Sequence, residues 1–269
     1  MHDILTLFSY SFMQRALLVG LLVAPCAALL GVSLVLRRYS MIGDGLSHVG
    51  FGALSLAFAL NLAPLQVALP IVILAAFWLL HLSESSKMHG DSAIALISSA
   101  AIAFGVVVTS LTNGMSTDVY DLMFGSILAV GSDDLILSLL LSSAVLFVFI
   151  FFYRKIFAIT FDEGFARTAG TNVRVYTSLI AFLTAVTIVV GMRIMGSMLI
   201  SSLIIFPALT AMRLFRSFRS VTLCAAVLSL VAFGTGLLLS FWFSLPTGAT
   251  IVLVNLGFFL LFSILEKLR

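Results

Sequence analysis

The chain has 269 residues, of which 62% are hydrophobic and only 9% charged. Soluble domains carry about 25% charged residues, so an ordinary soluble enzyme, a disordered regulator and a nucleic-acid binder are excluded, despite an isoelectric point near 9.1. Cys26 and Cys224 both lie in apolar runs and supply neither a disulfide framework nor metal-finger spacing.

The expected class is an all-α, polytopic membrane protein, with residues 1–269 forming a single transmembrane domain. A helix needs roughly 20 apolar residues to cross the hydrocarbon core. In chain order, 16–36 is a first span that ends at Arg37 and Arg38. Residues 45–83 hold two spans with a break at 61–64, and 92–117 hold another. A polar segment with Asp118 and Asp121 follows, then the short apolar piece 122–129, an external helix or hairpin too short to span. After Asp133 and Asp134 come a span at 135–153 and a polar segment at 154–174. Spans at 175–192 and 194–212 are separated by little more than Gly191 and Gly196, and the run 220–265 holds two more, hinged near 244–248. The sum is nine spans, or eight if the first is not fully inserted. The runs lack the alternation of an outer-membrane barrel, so helices must satisfy the backbone. The first span starts late and lacks a small-residue cleavage site, which reads as an uncleaved helix.

Basic residues set the orientation. With the loops at 37–40, 82–91, 154–174 and 213–219 and the C-terminus on one side, that side holds all of the 14 Lys and Arg except Arg15 and Arg193. That side is expected to be cytoplasmic, which requires nine spans and an outside N-terminus.

Ionisable groups inside spans are costly and therefore functional candidates. Asp44 and His48 stand four residues apart at the start of the second span, a spacing that shares one helix face. Carboxylate and imidazole are donors that Zn²⁺, Mn²⁺ and Fe²⁺ accept. The same pair also fits a helix-capping carboxylate and a hydrogen-bonded imidazole, and two ligands do not complete a site. His81 and His89 flank a short polar loop and read as solvated. Met192, Met195 and Met198 surround Gly191 and Gly196, where thioethers either pack or touch a soft metal. Asp44 and Asp121 do not form an intramembrane protease pair, because Asp121 falls in an external loop.

The polar segment 161–174 suits a short surface helix, with Asp162 and Glu163 at its start and Gly170 at its exit. Phe161, Phe165 and Ala169 recur every four residues as an apolar stripe, consistent with a docking knob or with a plain interfacial helix. Gly43, Gly45, Gly50 and Gly52 crowd the second span and allow close helix approach. Gly196 and Pro207 are expected to break the helices that line a path. No phosphate-binding Gly-Lys-Ser/Thr loop occurs, so ATP hydrolysis by the common route is not expected of this chain. There is no convincing internal repeat of the kind common in secondary carriers.

Four segments appear in order: Arg37-Arg-x5-Asp44-x3-His48, the apolar run 122–130, Phe161-Asp-x3-Ala166-x3-Gly170, and Gly196-x2-Leu199-x7-Pro207-Ala-x2-Ala211. Together they resemble the permeases of bacterial zinc, manganese and iron ABC importers over nearly the whole chain. The resemblance implies a multi-pass subunit of the bacterial cytoplasmic membrane, paired with a second permease copy or a paralogue. Its expected partners are membrane lipid, a separate cytosolic ABC ATPase and an extracytoplasmic metal-binding protein. It also implies metal contact in the translocation path at Asp44 and His48, doubled in a homodimer. By the same match, Asp162, Glu163, Ala166, Arg167 and Gly170 fall in the helix that docks into the ATPase. A divalent ion would be cargo, with no cofactor bound permanently. The alternatives are an ABC permease for a metal chelate, which would not need Asp44 and His48, an ion-coupled secondary carrier and a non-transporting membrane scaffold.

Overall fold

A computed structural model describes residues 11–84, 90–112 and 132–268. The apolar piece 122–129 and the residues His2, Asp3, Lys87, His89, Asp118 and Asp121 lie outside the described residues. The described chain is helical: α1 (Ser11–Leu36), α2 (Ile42–Ala59), α3 (Pro64–Glu84), α4 (Gly90–Leu111), α5 (Ser132–Phe151), α6 (Tyr153–Phe161), α7 (Glu163–Thr168), α8 (Val173–Met195), α9 (Ser197–Leu214), α10 (Phe218–Phe243) and α11 (Thr247–Leu268).

Among the described residues, seven helices are long and apolar enough to cross a membrane, or eight if the bent pair α5 and α6 counts as one span. The nine-span expectation therefore does not follow from length and hydropathy. The difference lies at α2, whose 18 residues include Asp44, His48 and four glycines and so dilute its apolar character. The predicted span 135–153 also differs: the helix turns by 68° beside Phe152, and residues expected in a polar loop continue as α6.

Helices α1 and α8 form the interior, with 67% and 72% of an apolar 18-residue stretch of each buried, while α4 and α11 bury only 22% of theirs and lie at the periphery. α1 packs on α9, α10, α5 and α8, and α2 is enclosed by α4, α3, α9 and α8. Lipid is as apolar as leucine, so small residues that admit close helix approach matter more here than apolar area. The glycines of α2 serve that role. A Cβ at Gly52 would lie 2.9 Å from the Ala101 carbonyl oxygen of α4, and one at Gly50 would lie 2.5 Å from the Met192 methyl of α8.

Turn chemistry follows the expected breaks. Asn61 (φ 53°) and Ser244 (φ 51°) occupy the left-handed region between α2 and α3 and between α10 and α11. At one end of the bundle Arg213 donates to Glu266 (3.1 Å). The Phe218 ring there meets Tyr153 and Phe157, with centroids 5.4 and 5.2 Å away. Loop 213–219, the start of α6 and the end of α11 thus converge, as the grouping of basic residues requires.

Candidate functional site

Asp44 and His48 are positioned by the first turns of α2. The i,i+4 spacing brings the His48 Nε2 to 3.4 Å from the Asp44 carboxylate, with the side chains 25% and 41% exposed. Both groups therefore share one helix face and are partly exposed on it. Among the described residues no third His, Cys, Asp or Glu joins them as a metal-binding group.

The tertiary structure adds neighbours that spacing could not find. α2 runs antiparallel to α9: Gly43 faces Ile204 and Ser47 faces Ser201. The Ser201 hydroxyl lies 2.9 Å from that of Ser47 and interacts with the Asp44 carboxylate. It is also 3.1 Å from the Ser197 carbonyl, while Ser47 donates back to the Gly43 carbonyl at 2.7 Å. The site is thus a carboxylate, an imidazole and a pair of buried hydroxyls on two helices. The paired serines 201 and 202 in a mostly apolar helix were the available sequence signal.

Gly196 sits at the break between α8 and α9 with φ 83° and ψ 159°, a conformation that favours glycine. Pro207 does not break its helix, contrary to expectation: α9 runs unbroken from Ser197 to Leu214 with Pro207 buried inside it. In a packed helix bundle, loss of one backbone donor is tolerated because neighbouring groups take up the freed carbonyl. Met192 and Met195 are buried, and Met192 packs over Gly50, whereas Met198 is exposed at the start of α9. His81 is exposed at the end of α3.

The segment 161–174 forms a second centre at the end of the bundle. Asp162 adopts an extended conformation (φ −151°, ψ 100°) and caps α7, accepting a hydrogen bond from the Phe165 amide at 2.9 Å. That extended residue divides α6 from α7, so Phe161, Phe165 and Ala169 do not form the expected stripe on one helix. Phe161 belongs to α6 and leans on Phe157 and Phe218, with centroids 5.0 and 5.9 Å away. Phe165, 67% exposed, projects from α7 alone. Ala166 is fully buried, so it seats α7 on the bundle, while Arg167 is exposed. Gly170 closes the turn with φ 77°, and Thr171 returns its amide to the Ala166 carbonyl at 2.9 Å.

Similarity to known proteins extends along the whole chain. The model of the ABC 3 transport family matches residues 9–266. A probable iron transport system membrane protein of Haemophilus influenzae is 33% identical over 264 residues, covering 97% of this chain and 96% of the relative. The manganese transport system membrane protein MntC of Listeria monocytogenes is 29% identical over 262 residues, covering 97% and 93%. Among solved structures, PsaBC from Streptococcus pneumoniae in complex with Fab superposes with a TM-score of 0.86 at 30% identity, covering 96% of this chain and 93% of that one. With its helical bundle and this end-to-end match, the chain is a multi-pass membrane protein that belongs to the ABC 3 transport family.

Proposed function

We infer that this chain is the permease subunit of an ATP-driven importer of divalent transition-metal ions, Zn²⁺, Mn²⁺ or Fe²⁺. The observation that carries the reading is the Asp44–His48 pair, held at 3.4 Å on a helix packed against four others. It occurs in a chain similar throughout to proteins named for manganese and iron transport. Carboxylate and imidazole form a weak, transient site from which an ion can leave as readily as it enters. A second permease copy would double the pair and supply the missing ligands, with Ser201 as a neutral oxygen beside Asp44.

The membrane topology proposed is nine crossings: α1, α2, α3, α4, the bent α5–α6 unit, α8, α9, α10 and α11. The N-terminus lies outside and the C-terminus in the cytoplasm of a bacterial cell, with the basic loops facing inward. ATP hydrolysis resides in a separate cytosolic subunit that docks on 161–174, and an extracytoplasmic binding protein delivers the ion. Closure of the ATPase dimer pushes α7 and reorients α2, α8 and α9 around the path.

The test is uptake of Mn²⁺, Zn²⁺ and Fe²⁺ into vesicles that contain the chain, its ATPase and its binding protein, with and without internal ATP. ATP-dependent accumulation that is lost in Asp44→Ala and His48→Ala is expected. Uptake of the free ions that is indifferent to both substitutions removes the pair from the mechanism. Uptake only of a chelated metal supports the chelate importer, and loss on collapsing the proton gradient at constant ATP supports an ion-coupled carrier.

A further inference from the structure

Arg37 is the residue immediately after α1, yet its side chain is only 7% exposed and its guanidinium is shared between two other elements. Nη2 pairs with the carboxylate of Glu163, the first residue of α7. Nη1 donates to the Thr177 hydroxyl of α8 at 3.1 Å. The guanidinium also lies 5.5 Å from the Tyr39 ring. Between Arg37 and α2 the backbone has little slack. The Arg37, Arg38 and Tyr39 amides return to the Ser33, Val35 and Leu34 carbonyls at 3.1, 3.1 and 2.8 Å, and the Ile42 amide bonds to the Tyr39 carbonyl at 3.1 Å. Arg38 completes the turn with φ 62°. Asp44 follows in the first turn of α2.

We propose that Arg37 is a positioning residue that transmits movement of α7 to the helix carrying Asp44. A planar fork can hold a carboxylate and a hydroxyl on two elements at once, which a lysine ammonium on a flexible stem does poorly. A displacement of α7 pulls on Glu163, Glu163 on Arg37, and the hydrogen-bonded turn 37–42 on the start of α2. Because only 7% of the Arg37 side chain is exposed, it offers little surface to a docked ATPase, and its role is separable from docking. The proposal rests on the reading of 161–174 as the ATPase dock.

The experiment uses the full complex of permease, ATPase and binding protein in proteoliposomes. It measures ATPase co-purification, ATP hydrolysis and Mn²⁺ imported per ATP. Arg37→Met is expected to retain the ATPase and its hydrolysis and to lower Mn²⁺ per ATP by about tenfold, within the usual range of coupling between sites. Arg37→Lys should fall between, and the exchange Arg37→Glu with Glu163→Arg should recover part of what Arg37→Glu alone loses. A wild-type ratio in Arg37→Met, or an exchange no better than the single reversal, overturns the proposal. If Arg37→Met does not fold, Glu163→Gln and Thr177→Val each remove one partner and leave the guanidinium in place. Unchanged ratios in both overturn it equally. Phe165→Asp distinguishes failure of the underlying reading: intact ATPase co-purification in that variant moves the dock elsewhere. A wrong Arg37 role instead leaves Phe165→Asp defective and Arg37→Met normal.

Discussion

Gly31 of α1 is where the structure predicts the sharpest loss from the smallest change. A Cβ added there would run into the Ile204 carbonyl oxygen of α9 and lie 2.7 Å from the carbonyl carbon, where ordinary contact begins at 3.4 Å. The helices must therefore separate by at least about 0.7 Å, and because the obstacle is backbone, no side-chain rotation relieves it. Overpacking of this kind costs about 3 kcal/mol, roughly two powers of ten in the packed population. The displacement falls three residues from Ser201, whose 2.9 Å contact with Ser47 joins α9 to α2 beside Asp44. Gly31→Ala should thus lower both thermal stability and metal uptake. Gly50→Ala meets only the movable end of Met192 and should cost about 1 kcal/mol or less. Gly234→Ala and Gly257→Ala, with nothing within 4 Å, should be neutral to within about 0.5 kcal/mol. Thermal unfolding of the detergent-solubilised variants, with vesicle uptake in parallel, checks the series. Wild-type stability and uptake in Gly31→Ala would refute the reasoning from helix contact.

Ser201→Ala removes a hydroxyl beside Asp44 without adding bulk and should weaken metal binding by about 1 kcal/mol, roughly fivefold in the apparent KM. Uptake titrated against free Mn²⁺ measures this, and an unchanged KM removes Ser201 from the site. Asp162→Ala takes away the cap of α7 and should destabilise that helix by about 1 kcal/mol. Faster amide exchange at 163–168, with more ATP consumed per ion, is the expected result. Equal exchange in the two proteins would show that the cap does not hold α7 in place.

Much of this organisation is legible in the residues alone, for identifiable reasons. Charge is so costly in lipid that Arg37, Lys155 and Arg213 mark one end of the bundle before any contact is known. The helical period alone places Asp44 and His48 on a shared face, and Asp162 and Gly170 bracket α7 because capping and left-handed exit are local chemistry. The resemblance of the four motifs pointed to the family that the full-length match identifies.

Other features depend on residues far apart in the chain. Ser201 meets Ser47 across 154 positions and Arg37 meets Glu163 across 126, and neither pairing is marked by local spacing. Pro207 carries the same signal whether a helix breaks or continues, and only its packed neighbours decide that α9 continues. The bend beside Phe152 is only half visible in hydropathy: Arg154 and Lys155 mark the end of the span, but nothing local shows that the chain continues as a helix at 68° to it. Hydropathy and period act within a few turns of one helix, and so they determine which segments are helices and which face carries chemistry. Which helices touch, and hence which side chains complete the site, is decided by close packing between segments that the chain order keeps apart.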